Sequence, residues 1–257
     1  MQRPLAVVTG ASSGIGEALA LRLGSAGYDL LLVARREALL TELSARIVRE
    51  HPEVRADVFA LDLCTDDAAQ KLLDRAPTAS VLVNNAGFGK VGEALSIENG
   101  VYEQMIALNV AALTQLTLTF ARRMVERGGG TILNVGSTSG FQPIPFQAVY
   151  AATKAYVMSF SEALSYELRG KGVSVLGLYP GPTKTGFSEI AGAQEHAKKH
   201  ARVFMSADAV AALAMDQIKT GKESVVAGKL NAVAATLSQL GPRKAARRVA
   251  AAIFKPR

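Results

Sequence analysis

Short, continuous apolar runs alternate with helix-length patterns along almost the whole chain, and this alternation restricts the fold more than any other feature. "LAVVT" (5–9) precedes a helical pattern from about Gly14 to Ala26, and "LLLVA" (30–34) precedes another that ends near "EHPE" (50–53). "VFAL" (58–61), "SVLVN" (80–84), "TILNV" (131–135) and "VSVLGLY" (173–179) continue the series, with predicted helices at about 98–127 and 149–169 between the last three. "SADAVAALAMDQI" (206–218) reads as a further helix with Ser206 as its N-cap, followed by a short strand, "SVVAG" (224–228). Strands that are apolar throughout are buried on both faces. They predict a parallel sheet with helices on either side, a doubly wound α/β domain. No repeat, low-complexity block or linker interrupts the series, so one domain is expected over residues 1–257. Ligands of such sheets bind beyond the carboxyl ends of the strands, and chemistry is expected there.

The net charge of +7 is unevenly spread. Six basic residues (Arg243, Lys244, Arg247, Arg248, Lys255, Arg257) and no acid lie between Leu240 and Arg257, so the rest of the chain is nearly neutral. That balance argues against a nucleic-acid partner, because the basicity belongs to a tail rather than to the body. The single cysteine, Cys64, cannot form an internal disulfide, which fits a reducing, cytoplasmic setting. Strand-like runs begin at Leu5, which leaves no room for a cleavable signal sequence before the fold. "QMIALNVAALTQLTLTFA" (104–121) is uncharged and helix-length, yet Gln104, Asn109 and Gln115 would be poorly satisfied in lipid. A buried or subunit-facing helix is the better expectation.

"VVTGASSGIGEAL" runs from the first strand into the first helix. Gly10, Gly14 and Gly16, with Ser12, Ser13 and Ile15 between them, allow a tight turn with backbone close to a pyrophosphate and helix amides aimed at it. The second strand ends in Ala34, Arg35 and Arg36 with no carboxylate, which favours a ribose 2′-phosphate over a free 2′-hydroxyl and therefore NADP(H). Asp62 and Leu63, after the third strand, are placed to meet the adenine. Asn85, Ala86 and Gly87 in "VNNAGFG" would bring small residues and backbone against the adenosine.

"AVYAATKAYVMSF" (148–160) places Lys154 between two tyrosines. On a helix Tyr150 and Lys154, at i and i+4, share a face, whereas Tyr156 is turned about 200° away and is expected to pack elsewhere. Ser137 follows the fifth strand directly. Asn109 puts an amide in the middle of an otherwise apolar helix, where burial demands a hydrogen-bond partner. "TGASSGIG", "NNAG", Asn109, Ser137 and "YAATK", in this order, resemble the short-chain dehydrogenase/reductase family over about residues 5–228. "YPGPTKT" (179–185), with Pro180, Gly181, Thr183 and Thr185, is similar to a family segment near the nicotinamide.

The resemblance implies a single-domain Rossmann fold in which Tyr150 protonates a carbonyl oxygen as hydride arrives from the nicotinamide. Lys154 would hold the ribose hydroxyls and lower the tyrosine pKa, Ser137 would donate to the reacting oxygen, and Asn109 would hold a water linking Lys154 to solvent. It also implies a homodimer or homotetramer built through the helices at 98–127 and 149–169. Gly136 departs from the pattern, since many relatives carry serine there. A nucleotide-sugar epimerase or dehydratase shares Tyr-x-x-x-Lys but needs a larger substrate domain than the chain leaves room for. A non-catalytic sensor or scaffold would be expected to have lost part of the tetrad.

The substrate would be a small carbonyl or alcohol. The loop "GFQPIPFQ" (140–147) is expected to wall the site and 185–205 to form a lid, with Phe141, Ile144, Phe146 and Phe187 making an apolar pocket. His196 and His200 lack a third ligand, so no metal is expected. The tail at 229–257 is expected to be helical, with Leu230, Val233, Leu237 and Leu240 on one face and, after Pro242, Ala246, Val249, Ala250 and Ile253 on another. Residues 241–257 would either rest on an anionic membrane surface or a partner or, as the favoured expectation, pack on the protein's own body or a neighbouring subunit.

Overall fold

The computed structural model describes residues 3–194, 204–240 and 242–254. Among these, seven strands form one parallel sheet: β1 (Leu5–Thr9), β2 (Asp29–Ala34), β3 (Ala56–Ala60), β4 (Ala79–Asn84), β5 (Gly130–Val135), β6 (Val173–Pro180) and β9 (Ser224–Ala227). Their spatial order is β3-β2-β1-β4-β5-β6-β9, so the chain reverses direction across the sheet between β1 and β4. A two-residue parallel pair, β7 (Thr183–Lys184) with β8 (Met205–Ser206), stands apart from it, and the short helix α7 (Phe187–Ile190) follows β7.

The alternation along each strand sorts the core into two layers. Val8, Leu32, Val83, Val135 and Leu178 point to one face, where they meet α1 (Gly14–Ser25), α2 (Glu37–Glu50) and α8 (Ala207–Thr220) through Leu23, Ile47 and Ala214. Val7, Leu31, Leu82, Ile132 and Val175 point to the other. There they meet α3 (Ala68–Arg75), the helix Asn99–Glu126 and α6 (Ala148–Glu167) through Leu72, Phe120 and Leu164. Apolar strands under two helical layers are the expected doubly wound arrangement. The short α3 is additional, in a charged stretch whose continuous apolar features are the pairs Ala68–Ala69 and Leu72–Leu73.

The apolar helix at 104–121 belongs to this core. It consists of α4 (Asn99–Ile106), a π-helical segment Ala107–Ala112 and α5 (Leu113–Glu126). By length and composition it could cross a membrane. Its Leu116, Phe120 and Met124 are instead buried in the core layer against the sheet, and Met105 and Leu113 are buried as well. Ser206 caps α8 as expected, accepting from the Ala209 N–H at 3.1 Å. Two tail helices follow β9: α9 (Lys229–Leu240) and α10 (Arg243–Phe254). Ala250 of α10 is buried with Ile144 and Ala151, so the final helix packs on the protein's own body. The apolar stripe of α9 does the reverse, since Leu230, Val233, Leu237 and Leu240 are all exposed.

A polar cluster joins the two halves beneath the site. The Asn84 amide donates to Thr117 Oγ1 and Asn134 Oδ1, both at 2.9 Å, and Asn134 Nδ2 donates to Ser161 Oγ at 3.0 Å. All four residues are buried, so each bond replaces one that water can no longer supply. Asn134→Leu should lower the unfolding free energy by about 2–3 kcal/mol, because it strands the groups of Asn84, Thr117 and Ser161. Urea unfolding at fixed pH measures this, and an unchanged midpoint would refute it.

Candidate active site

A cleft of about 1030 Å³ lies along the carboxyl edge of the sheet, where the strand order reverses between β1 and β4. It begins at the turn between β1 and α1. Gly10 and Gly14 take φ values of +65° and +64°, which side chains resist. A Cβ on Gly16 would collide with the Gly10 carbonyl, so this helix can start so close to the strand only with glycine. Asn85 fastens the turn to β4, its Nδ2 donating to the carbonyls of Thr9 at 3.0 Å and Gly10 at 3.3 Å. Thr9 Oγ1 completes the latch by accepting from the N–H groups of Asn85 and Ala86.

Arg36 leans back over this turn, one guanidinium nitrogen lying 2.9 Å from Ser12 Oγ and 3.0 Å from Ser13 Oγ. Arg35, Asp62 and Leu63 line the same end of the cleft with Ala86 and Gly87. Asp62 Oδ1 accepts from the Cys64 N–H at 3.0 Å, which orients its carboxylate. Thr185 lies against the glycine turn from the far side: a Cβ on Gly14 would meet its Cγ2 at 3.0 Å. The remaining expected residues of that segment, Pro180, Gly181 and Thr183, also line the cleft.

At the other end, Tyr150 and Lys154 emerge from the first turns of α6, both buried. Lys154 Nζ donates to the Val135 carbonyl at 2.9 Å and stands 5.9 Å from the centre of the Tyr150 ring. Gly140 lets the Thr138–Phe141 turn pass close to the backbone of Lys154, since a Cβ there would meet the Lys154 carbonyl carbon at 2.7 Å. Ser137 caps that turn, accepting from the Ser139 N–H at 3.1 Å, and its side chain also hydrogen-bonds Tyr150. Tyr156 turns away, its hydroxyl 2.9 Å from Thr114 Oγ1 and its ring stacked on Phe160 at 5.7 Å.

Asn109 does not line the cleft. Its amide exchanges bonds with Phe88, accepting from the N–H at 3.1 Å and donating to the carbonyl at 2.9 Å, and donates to Thr153 Oγ1 at 3.2 Å. The side chain therefore clamps the loop after β4 to α6, and any water would have to use the remaining lone pair of Oδ1. Gly87 is the meeting point, because a Cβ there would lie 2.9 Å from Asn109 Oδ1 and 3.6 Å from Lys154 Nζ.

The residue pattern and this geometry coincide with a family model for short chain dehydrogenases, which matches residues 4–196. The chain belongs to the short-chain dehydrogenase/reductase family. Sulfoacetaldehyde reductase 2 of Chromohalobacter salexigens is 35% identical over 192 residues, covering 72% of this chain and 75% of that one. A short-chain dehydrogenase from Sphingobium yanoikuyae solved with NADPH is 31% identical, with a TM-score of 0.81 over 92% of this chain and 94% of that one. A family member from Burkholderia phymatum solved with NAD is 23% identical and shares the fold, with a TM-score of 0.84 over 93% and 94% of the two chains. The protein is thus a short-chain dehydrogenase/reductase oxidoreductase with a site for a nicotinamide nucleotide.

Within this dehydrogenase several expectations need correction. Phe141 and Phe146 do not line the cleft. Phe141 packs edge-on against Tyr179 at 5.4 Å, and Phe146 is held in a left-handed conformation with φ of 66°. Ile144 and Phe187 do line it, joined by Phe88, Val91 and Ile190. The Phe187 ring centre is 5.4 Å from that of Tyr150. The tail contributes wall residues that sequence reasoning missed, Asn231, Ala235 and Phe254 among them. Gly136 has its own reason here, for a Cβ would fall 2.6 Å from the ring of Tyr179. His196 and His200 lie outside the described residues, as does part of the expected lid. Among the described residues no cluster of metal-ligating side chains occurs.

The electrostatics set by the protein's own residues also differ from expectation. Burial pushes the Tyr150 phenol up to about 12, against the opposing effect of the Ser137 hydrogen bond. Burial likewise pushes Lys154 down to about 8. Desolvation is the largest cause for both groups, and Lys154 is not among the causes that lower the tyrosine. The lysine's folded pKa lies below its unfolded value of 10.5. The unfolded chain therefore binds the extra proton between the two, and the contribution of Lys154 to stability should rise with pH from about 8 to about 10.5. Lys154→Met should remove that rise and leave the unfolding free energy at pH 7 no lower, while weakening nucleotide binding by at least about tenfold. Thermal unfolding across pH, with fluorescence titration of NADPH, reads both; a large loss of stability at pH 7 would refute the first expectation.

Proposed function

We propose that the protein is an NADP(H)-dependent carbonyl reductase or alcohol dehydrogenase acting on an apolar small molecule. The observation that carries this reading is the convergence of Ser137, Tyr150 and Lys154 on the floor of a cleft whose other end is a glycine turn overhung by Arg36. The residues present fit a dinucleotide. The glycines leave room for a pyrophosphate at the start of α1, and Arg36 with Arg35 supplies positive charge where a 2′-phosphate would lie. The bound nicotinamide supplies or takes up hydride.

The chain's own residues manage the proton. Tyr150, protonated through the physiological range by burial, donates it to the carbonyl oxygen as that oxygen becomes an alkoxide. Ser137 gives the same oxygen a second hydrogen bond and stabilises the developing charge. Lys154 holds the ribose hydroxyls and, when charged, stabilises the phenolate left behind. Asn109 is a positioning residue, fixing the Phe88 loop against α6. Phe88, Ile144 and Phe187 exclude water and favour an apolar substrate body.

The cofactor preference is tested by Arg36→Ala. KM for NADPH should rise about 10–100-fold while KM for NADH changes little, since a charge-assisted contact to phosphate is lost. Equal effects on both would leave the preference without support. The proton role is tested with Tyr150→Phe and with pH. The variant should lose about 10²–10⁴-fold in kcat. In the wild type, alcohol oxidation should accelerate with rising alkaline pH, because it needs the phenolate that burial disfavours, whereas reduction should not. An active Tyr150→Phe enzyme would overturn the mechanism.

A further inference from the structure

The helix α9 has two opposed faces. Asn231, Ala234, Ala235 and Ser238 line the cleft, while Leu230, Val233, Leu237 and Leu240 point outward, Leu230 and Leu240 with more than four-fifths of their surface exposed. Four large aliphatic side chains on a solvent-facing stripe are not left bare without a use. The charge around them is one-sided. From Ser224 to Arg257 there are seven basic residues and no acid, so this segment accounts for the entire net charge of +7. Lys229 on α9 and Lys244, Arg247 and Arg248 on α10 are exposed, beside Val249, which is also exposed.

We propose that the outer surface of α9 and α10 docks on an anionic lipid surface, the leucine stripe entering the acyl boundary and the basic side chains meeting the headgroups. Exposed apolar and cationic groups on consecutive helices, without acids, complement that surface in both respects. A second copy of the chain is a poorer occupant, because a two-fold interface would set this basic segment against itself. Nucleic acid would leave the aliphatic stripe uncovered. The docking does not depend on which carbonyl the cleft takes.

Co-sedimentation with vesicles of phosphatidylcholine alone or mixed with phosphatidylglycerol tests this on the full chain. Binding is expected on the mixed vesicles only, and salt should weaken it. The triple variant Lys244→Gln/Arg247→Gln/Arg248→Gln should reduce affinity by on the order of a hundredfold, about fivefold per charge. Leu230→Ser/Leu237→Ser should reduce it as well, although the charges remain. Neither variant touches the buried core, and circular dichroism with a thermal midpoint verifies folding. Failure of the mixed vesicles to bind the wild type would overturn the proposal, as would binding that ignores both variants. Light scattering that shows a dimer broken by Leu230→Ser/Leu237→Ser, without vesicle binding, would assign the stripe to a second copy.

Discussion

Lys154 holds an ammonium group away from bulk water with a single hydrogen-bond partner among the described residues, the Val135 carbonyl. An ion so placed is costly, and its pKa has moved to lessen the cost. The surroundings follow from keeping it there. Gly140 allows the Thr138–Phe141 turn to pass over the lysine backbone, and Gly87 leaves space at the ammonium itself. Thr153, beside the lysine, receives the Asn109 amide and donates to the Tyr150 carbonyl at 2.8 Å. Tyr150 therefore inherits its position from the elements that hold Lys154.

The two ends of the cleft are secured differently. The nucleotide end is fixed by backbone: glycine conformations, and carbonyls gripped by Asn85. The chemical end is fixed by side chains buried beneath it, the Asn84–Thr117–Asn134–Ser161 cluster one residue below Val135. A dinucleotide of constant shape suits the first arrangement, and chemistry that needs placed donors suits the second.

How much of this could be read beforehand depended on distance along the chain. The glycine turn and the Tyr150–Lys154 pair are local, so spacing alone placed their side chains, and the apolar strands carried the sheet. The polar cluster joins residues 17 to 50 positions apart, and nothing in the neighbourhood of Asn134 announces Asn84 or Ser161. Phe141 and Phe146 were misplaced because loop aromatics have no periodicity to orient them. In α9 the period identified an apolar face correctly but not what the face meets; it looks outward, and the small residues turned away from it wall the cleft.

The π-helical segment Ala107–Ala112 places Asn109 between two regular helices. A π turn carries one residue more than an α turn, so the chain here is effectively one residue too long for a regular helix. Deleting a residue from this segment would let it relax to a regular helix with α4 and α5 still in register, so Leu116 and Phe120 would keep the sheet while the local backbone that presents Asn109 to Phe88 and Thr153 would change. A residue added in the regular part of α5 would instead turn one end of the helix by about 100° relative to the other. The extra residue therefore serves the presentation of one buried amide, and the packing of the helix on the sheet does not need it.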